Sequence, residues 1–234
     1  SVIQFMLWRY VSKADEIHIC KNVFIGKTDV SGMTKEEAVK AVNNTLGDYR
    51  NKQLVLKVKD QGADVTIEEM GAEVENIDKL AEKAVGYGKN GSIWSRYQKI
   101  HNLDKKKYVI DESFKVDEAK LRELIQERAV PLEQKAVNAS ASYNGSGFDL
   151  TDEAEGYTVD VDKSVKKIKN FMNKKWNYED AEVELKLDME EPTIKKADLE
   201  SLQDELGSYT TNAGWGDRVQ NIRRASLSIF STSA

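Results

Sequence analysis

The chain has very little cysteine, histidine or proline, and each scarcity closes off a class of function. Cys20 is the only cysteine, so neither an internal disulfide nor a multi-cysteine metal site can form. The two histidines, His18 and His101, stand far apart in sequence, and no clustered ligand set at metal spacing is present. Two prolines exclude long, stiff proline-rich linkers. No apolar run approaches the ~20 residues needed to cross a bilayer as a helix; the longest is Val2 to Trp8. That run reads either as the trimmed end of a signal anchor or as the first turns of an amphipathic element. A basic excess is missing too: 35 Lys and Arg are scattered among 40 Asp and Glu, for a net charge of −5. This argues against a nucleic-acid surface.

What is present is the composition of a folded, soluble chain, 40% hydrophobic and 32% charged. Its 234 residues suffice for two modest domains, each with its own core. Near-absence of cysteine fits an exported bacterial protein and a cytosolic one equally well.

Periodicity predicts an α+β order. Val23–Ile25 reads as a short strand, and Asp29–Met33, with Gly32, as the turn after it. Thr34 and Glu37 are spaced as a capping box for a helix over 35–46, stopped by Gly47. Leu54, Leu56 and Val58 alternate as a strand, Gln61-Gly62 reads as a turn, and 64–67 as the return. A short extended piece, Ala72–Glu75, precedes a helix over 78–85 that the glycines 86, 88 and 91 end. The order then replays: a strand Tyr108–Val116, a helix capped by Asp117 and terminated by Pro131, and a strand Ala136–Tyr143. A hairpin at Asn144-Gly-Ser-Gly147, a return Phe148–Leu150, an extended piece Gly156–Asp160 and a helix with Val165, Ile168 and Met172 on one face follow. Ala181–Met189 alternates as one half-buried strand.

The replay is the main organisational signal. Val65-Thr-Ile-Glu-Glu-Met-Gly71-Ala-Glu-Val-Glu75 and Phe148-Asp-Leu-Thr-Asp-Glu-Ala-Glu-Gly156-Tyr-Thr-Val-Asp160 both run from strand through acidic turn and glycine to an extended piece ending in an acid. Gly71 and Gly156 are expected to supply a turn with positive φ. The expected architecture is two copies of a small helix-plus-antiparallel-sheet module, at 22–106 and 107–195, after an N-terminal segment 1–21. The connector Ser92–Lys107, with Trp94, Tyr97 and Ile100, is expected to form a packed helix.

These residues carry a resemblance. Phe24-Ile-Gly-Lys-Thr-Asp-Val-Ser-Gly-Met-Thr-Lys-Glu-Glu-Ala38 looks like the opening of the peptidoglycan-binding repeat of VanW-type, vancomycin-resistance-associated proteins. The same repeat also precedes catalytic domains in some L,D-transpeptidases. Gly71–Glu75 and Gly156–Asp160 resemble its glycine–acid core, and Tyr87-Gly-Lys-Asn-Gly91 its glycine-rich close. Leu206–Thr211 with Arg218-Val-Gln-Asn-Ile222 is similar to the start of the VanW domain, but Ser226–Ala234 departs from it. Residues 196–234 are therefore expected to be a truncated stub of that domain. The resemblance implies an exported protein of a Gram-positive bacterium, facing the cell wall and held to the membrane only through an N-terminal anchor.

The candidate chemistry is sparse. Gly86-Tyr-Gly-Lys-Asn-Gly91 satisfies G-x-G-x-x-G formally but follows a helix, where a dinucleotide fingerprint follows a strand; no cofactor is expected. Cys20 has His18 two residues away, yet no transpeptidase-type Ser-His-Gly-Cys run exists, and the thiol reads as structural. The acidic runs 152–155 and 179–184 lack a calcium-loop glycine and read as solvated faces. Sugar binding uses exposed aromatics; Tyr87, Trp94 and Tyr97 form one candidate cluster and Trp215 another. Arg218 and Asn221 share a helical face and would hold a carboxylate or pack against a missing domain. The expected function is a non-catalytic, cell-wall-binding or positioning module with peptidoglycan or another wall polymer as partner. A structural pedestal with an envelope protein partner, and an accessory part of a wall-modifying enzyme, are the alternatives.

Overall fold

A computed structural model describes residues 2–202. Its fold is mixed α+β, divided into two compact units that interleave along the chain. The first comprises residues up to Ala129 and Val161–Leu185; the second comprises Val130–Asp160 and the residues from Lys186 on.

The first unit opens with α1 (Val2–Val11), β1 (Val23–Ile25) and β2 (Thr28–Asp29). Then come α2 (Lys35–Asp48), the hairpin β3 (Gln53–Val58) and β4 (Gln61–Thr66), β5 (Glu73–Val74) and α3 (Ile77–Gly86). It continues through α4 (Ile93–Asn102), β6 (Tyr108–Ile110), β7 (Phe114–Lys115) and α5 (Glu118–Leu124), whose last turn widens into a π-turn at Ile125–Ala129. The second unit holds β8 (Ser140–Tyr143), β9 (Phe148–Thr151) and β10 (Gly156–Val159). The chain then returns to the first unit for α6 (Val161–Lys174) and β11 (Ala181–Glu184), and to the second for β12 (Leu187–Glu190).

Local signals behave as their chemistry dictates. Thr34 accepts from the Glu37 amide while the Glu37 carboxylate accepts from the Thr34 amide, so both halves of the capping box form. Asp117 caps α5 through the Ala119 and Lys120 amides. The helix faces read from spacing are the buried ones: Ala38, Val42 and Leu46 on α2, and Val165, Ile168 and Met172 on α6. α2 runs through Gly47 to Asp48 instead of stopping there. The hairpin turn falls at Lys59, which itself takes φ +53°, and not at Gln61-Gly62, which already belong to β4.

Sheet partners diverge most from the sequence reading. β1 pairs antiparallel with β2 but parallel with β6. β3 pairs antiparallel with β4 but parallel with β11. Strands from 22–106 and from 107–195 thus share sheets in the first unit, so the units cut across the 106/107 boundary. Tyr108–Val116 is two strands, since β6 joins β1 and β7 turns to pair with β5. Ala181–Met189 likewise splits: β11 pairs with β3 inside the first unit, and β12 pairs with β10 inside the second. Val183 and Leu185 are buried, whereas Met189 is 48% exposed.

One half-buried acid is expected to couple the first unit to pH. The Glu112 carboxylate accepts from the Tyr178 hydroxyl, while its second oxygen is buried without a hydrogen-bond partner among the described residues. Burial, the leading cause, raises the Glu112 pKa above the ordinary carboxyl value of 4.5. A raised acid pKa gives stability that is full below the ordinary value and lost as pH climbs through the folded one. Glu112→Gln removes the buried charge and keeps an acceptor for Tyr178. It should stabilise the protein by about 1 kcal/mol at pH 7.5, with the gain shrinking as pH falls through the raised folded pKa towards 4.5. Thermal melts at both pH values would show it, and an equal shift at both would refute the assignment.

Candidate functional site

α4 starts from the Ser92 cap and buries no residue completely. Trp94, Tyr97 and His101 recur at helical spacing and line one side of it. Trp94 stacks on Tyr97 at 5.7 Å between ring centroids, and Tyr97 on His101 at 5.5 Å and 8°. Tyr10, from α1, meets Tyr97 edge-on at 5.1 Å. The result is a continuous aromatic strip with its outer end in water, Trp94 being 54% exposed. Such a ledge of hydrocarbon faces suits the flat apolar side of a sugar ring.

Beneath Tyr10 lies a cavity of about 510 Å³, lined among others by Lys13, Asp15, His18, Cys20 and Asp104. Asp104 binds Lys21 and accepts from the Tyr10 hydroxyl at 3.0 Å. Those two hydrogen bonds, Lys21 foremost, hold its carboxyl below the usual range. Asp15 is held low by the Ile17 amide and then by His18, whose Nδ1 lies 2.6 Å from it. The Cys20 thiol is half-buried, donates to the Tyr87 carbonyl at 3.5 Å, and is pushed up in pKa by burial. A thiol held protonated in this way is a poor nucleophile.

The sequence cluster is therefore only partly assembled. Trp94 and Tyr97 come together, but Tyr87 leaves them to stack on Tyr108 at 3.7 Å and 13°. Tyr10 and His101 were missed as strip members, the first because its partners lie far along the chain. Trp215, Arg218 and Asn221 lie outside the described residues.

The glycine–acid motifs serve the fold. Gly32 and Gly71 take φ +72° and +60°. Gly156 does not adopt a positive φ; it sits in β10 because an added Cβ would come within 2.3 Å of the Ala136 backbone nitrogen. In the acidic turn before Gly71, the Glu69 carboxylate accepts from the Thr66 amide at 2.8 Å and grips the Arg128 guanidinium. Arg128 foremost, and then the Thr66 amide, hold the Glu69 pKa at about 2. Arg128 also donates to the Asp64 carbonyl, fastening β4 to the turn after α5. Glu75 accepts from Ser113 and Asn173. These carboxylates are consumed internally.

A family model described as "Putative peptidoglycan binding domain" matches residues 63–181, from within β4 to the first residue of β11. The matched span contains Gly71, Tyr87, Trp94, Tyr97 and Gly156 and runs without a break across the 106/107 boundary. No curated protein and no solved structure matches the chain.

Proposed function

We propose, from the premise that this chain belongs to the family described as a putative peptidoglycan binding domain, that it binds the cell wall without catalysing a reaction there. Family membership supports the wall association and a wall polymer as partner. The observation that carries a glycan-binding reading is the exposed Trp94–Tyr97 stack inside the matched span. Trp94→Ala should weaken binding to purified peptidoglycan about tenfold, about 1.4 kcal/mol. Tyr143→Ala, which removes an exposed aromatic from the second unit, should leave binding unchanged. Co-sedimentation with purified sacculi at low salt measures both; wild-type affinity for the Trp94 variant would dismiss the strip.

A pedestal that binds no glycan is the second reading, favoured by the internal use of Glu69 and Glu75. Absence of any sacculus binding would establish it over the first. The masked thiol of Cys20 supports the non-catalytic part, and muropeptides incubated with the protein should come through unaltered.

The finer localisation, a VanW-type protein of a Gram-positive bacterium, rests on the sequence resemblance alone, and its attachment at a membrane surface is proposed from α1. Val2, Ile3, Phe5, Met6 and Trp8 of this helix are 58–69% exposed, while no helix among the described residues is long and apolar enough to cross a membrane. An apolar surface of this kind suits an interface with lipid or with a further apolar segment.

A further inference from the structure

A second cavity, of about 460 Å³, opens in the first unit, and no aromatic side chain lines it. Three backbone segments wall it: the residue Arg50 after α2, the turn Glu68–Glu73, and the β7–α5 junction Lys115–Lys120. Backbone hydrogen bonds fix these walls to one another, Glu68 amide to Arg50 carbonyl and Asp117 amide to Met70 carbonyl, both at 3.0 Å. The β5–β7 pair adds the register Glu73↔Lys115. Gly71 keeps the floor open. Its φ is +60°, and a Cβ there would stand 3.1 Å from the Asp117 Cβ and 3.4 Å from the Lys120 Cδ.

The charges around this opening are unevenly satisfied. Lys115 pairs with Glu73 at 2.9 Å, whereas Arg50 reaches Glu68 only at 3.9 Å. The Asp117 carboxylate is occupied as a helix cap. Lys120 has no salt bridge among the described residues. Exposed pairs of this type contribute little and exchange readily with a better-placed anion. A guanidinium and an ammonium at one mouth form a carboxylate receptor, the guanidinium offering a two-pronged contact. Glu73, on the same rim, would exchange its exposed Lys115 partner for an amine of the ligand. With no ring to stack on, the cavity is unsuited to a sugar, and its volume is that of a small-molecule site.

We propose that this cavity binds the carboxylate-bearing end of a peptide, with Lys120 and Arg50 holding the carboxylate and Glu73 an amino group. Resting on the wall-binding reading above, the ligand is the peptide portion of the polymer. The glycan lies elsewhere, on the Trp94 strip.

Calorimetric titration of the full chain with a synthetic stem peptide, its C-terminal carboxamide, and peptide-free glycan chains tests this. The free acid should bind at least about tenfold more tightly than the amide. Lys120→Ala and Arg50→Ala should each cost about five- to tenfold, with Lys120→Arg restoring most of the loss. Circular dichroism guards against misfolding, and all three side chains lie at the surface. Equal affinity for acid and amide, no peptide binding, or an unaffected Lys120→Ala variant would overturn the subsite, even with sacculus binding intact. Peptide binding that survives in a protein blind to peptide-free glycan would sustain the subsite while removing the sugar strip.

Discussion

Gly156→Ala should destabilise the second unit by about 3 kcal/mol, far more than an added methyl group ordinarily costs. The site is crowded by backbone on the side where the methyl would sit. The Cβ would lie 2.3 Å from the Ala136 nitrogen, 2.9 Å from its Cα and 2.9 Å from the Gln134 carbonyl oxygen. A flexible side chain would swing away, but this stretch is tied down on both sides. Gln134 and Tyr157 exchange two backbone hydrogen bonds, at 3.2 and 2.7 Å, and Val137 exchanges another two with Ala154 at 2.9 Å. On its other edge β10 is held by β12, with Gly156 opposite Glu190. Relief therefore requires breaking one ladder or the other. Gly145→Ala is the control: its φ is +97° but nothing lies within 4 Å, so it should cost only the conformational strain, about 1 kcal/mol. Urea denaturation of both variants measures the difference. If the two lose stability equally, the close approach at Gly156 plays no part.

The same residue shows where sequence reasoning stops. A glycine between an acidic turn and an extended piece invites a positive-φ reading, which holds at Gly71 and fails at Gly156. The distinguishing fact is a second chain segment passing overhead, and spacing within the motif carries no trace of it. Features closed within one helical turn were legible because both partners sit a few residues apart: the Thr34–Glu37 box, the Asp117 cap, and the buried faces of α2 and α6. Strand existence was legible as well, but strand partnership was not. Alternation at Val183, Leu185, Leu187 and Met189 is the pattern of one strand, yet the chain changes sheets after Leu185. Period-two burial reports that a face is covered and is silent about what covers it. The aromatic strip divides the same way. Trp94 and Tyr97 lie on one helix, and their pairing could be read from spacing. Tyr10 joins them, and Tyr87 leaves them for Tyr108, only through tertiary packing. Lys120 and Arg50 drew no attention because an isolated charge on a polar segment looks like solvated surface until the chain brings two such segments to one rim.

Phe114→Ala should cost about 4 kcal/mol, the largest loss expected from a single side chain in the first unit. Phe114 is 2% exposed and is the centre of an aromatic group. It meets Trp176 at 4.7 Å and 77°, and Tyr178 at 5.1 Å and 85°, both in the edge-on arrangement that ring quadrupoles favour. Trp176 and Tyr178 lie 5.1 Å apart, and Tyr178 touches Tyr49 at 4.8 Å. The group joins β7, the segment after α6 and the end of α2, elements that are distant in sequence. Truncation leaves a void that these large rings cannot fill without leaving their own partners. Trp176 is held by its indole N–H on the Glu179 carbonyl at 2.9 Å, and Tyr178 by Glu112. Phe114→Leu, which refills most of the volume, should cost about 1.5 kcal/mol. Because Tyr178 is shared between Phe114 and Glu112, combining Phe114→Ala with Glu112→Gln should depart from additivity by about 0.5 kcal/mol or more. Denaturant titration of the four proteins closes the cycle at pH 7.5. A strictly additive result would mean that the buried acid and the aromatic group stabilise the unit independently, leaving desolvation alone to account for the pH effect at Glu112.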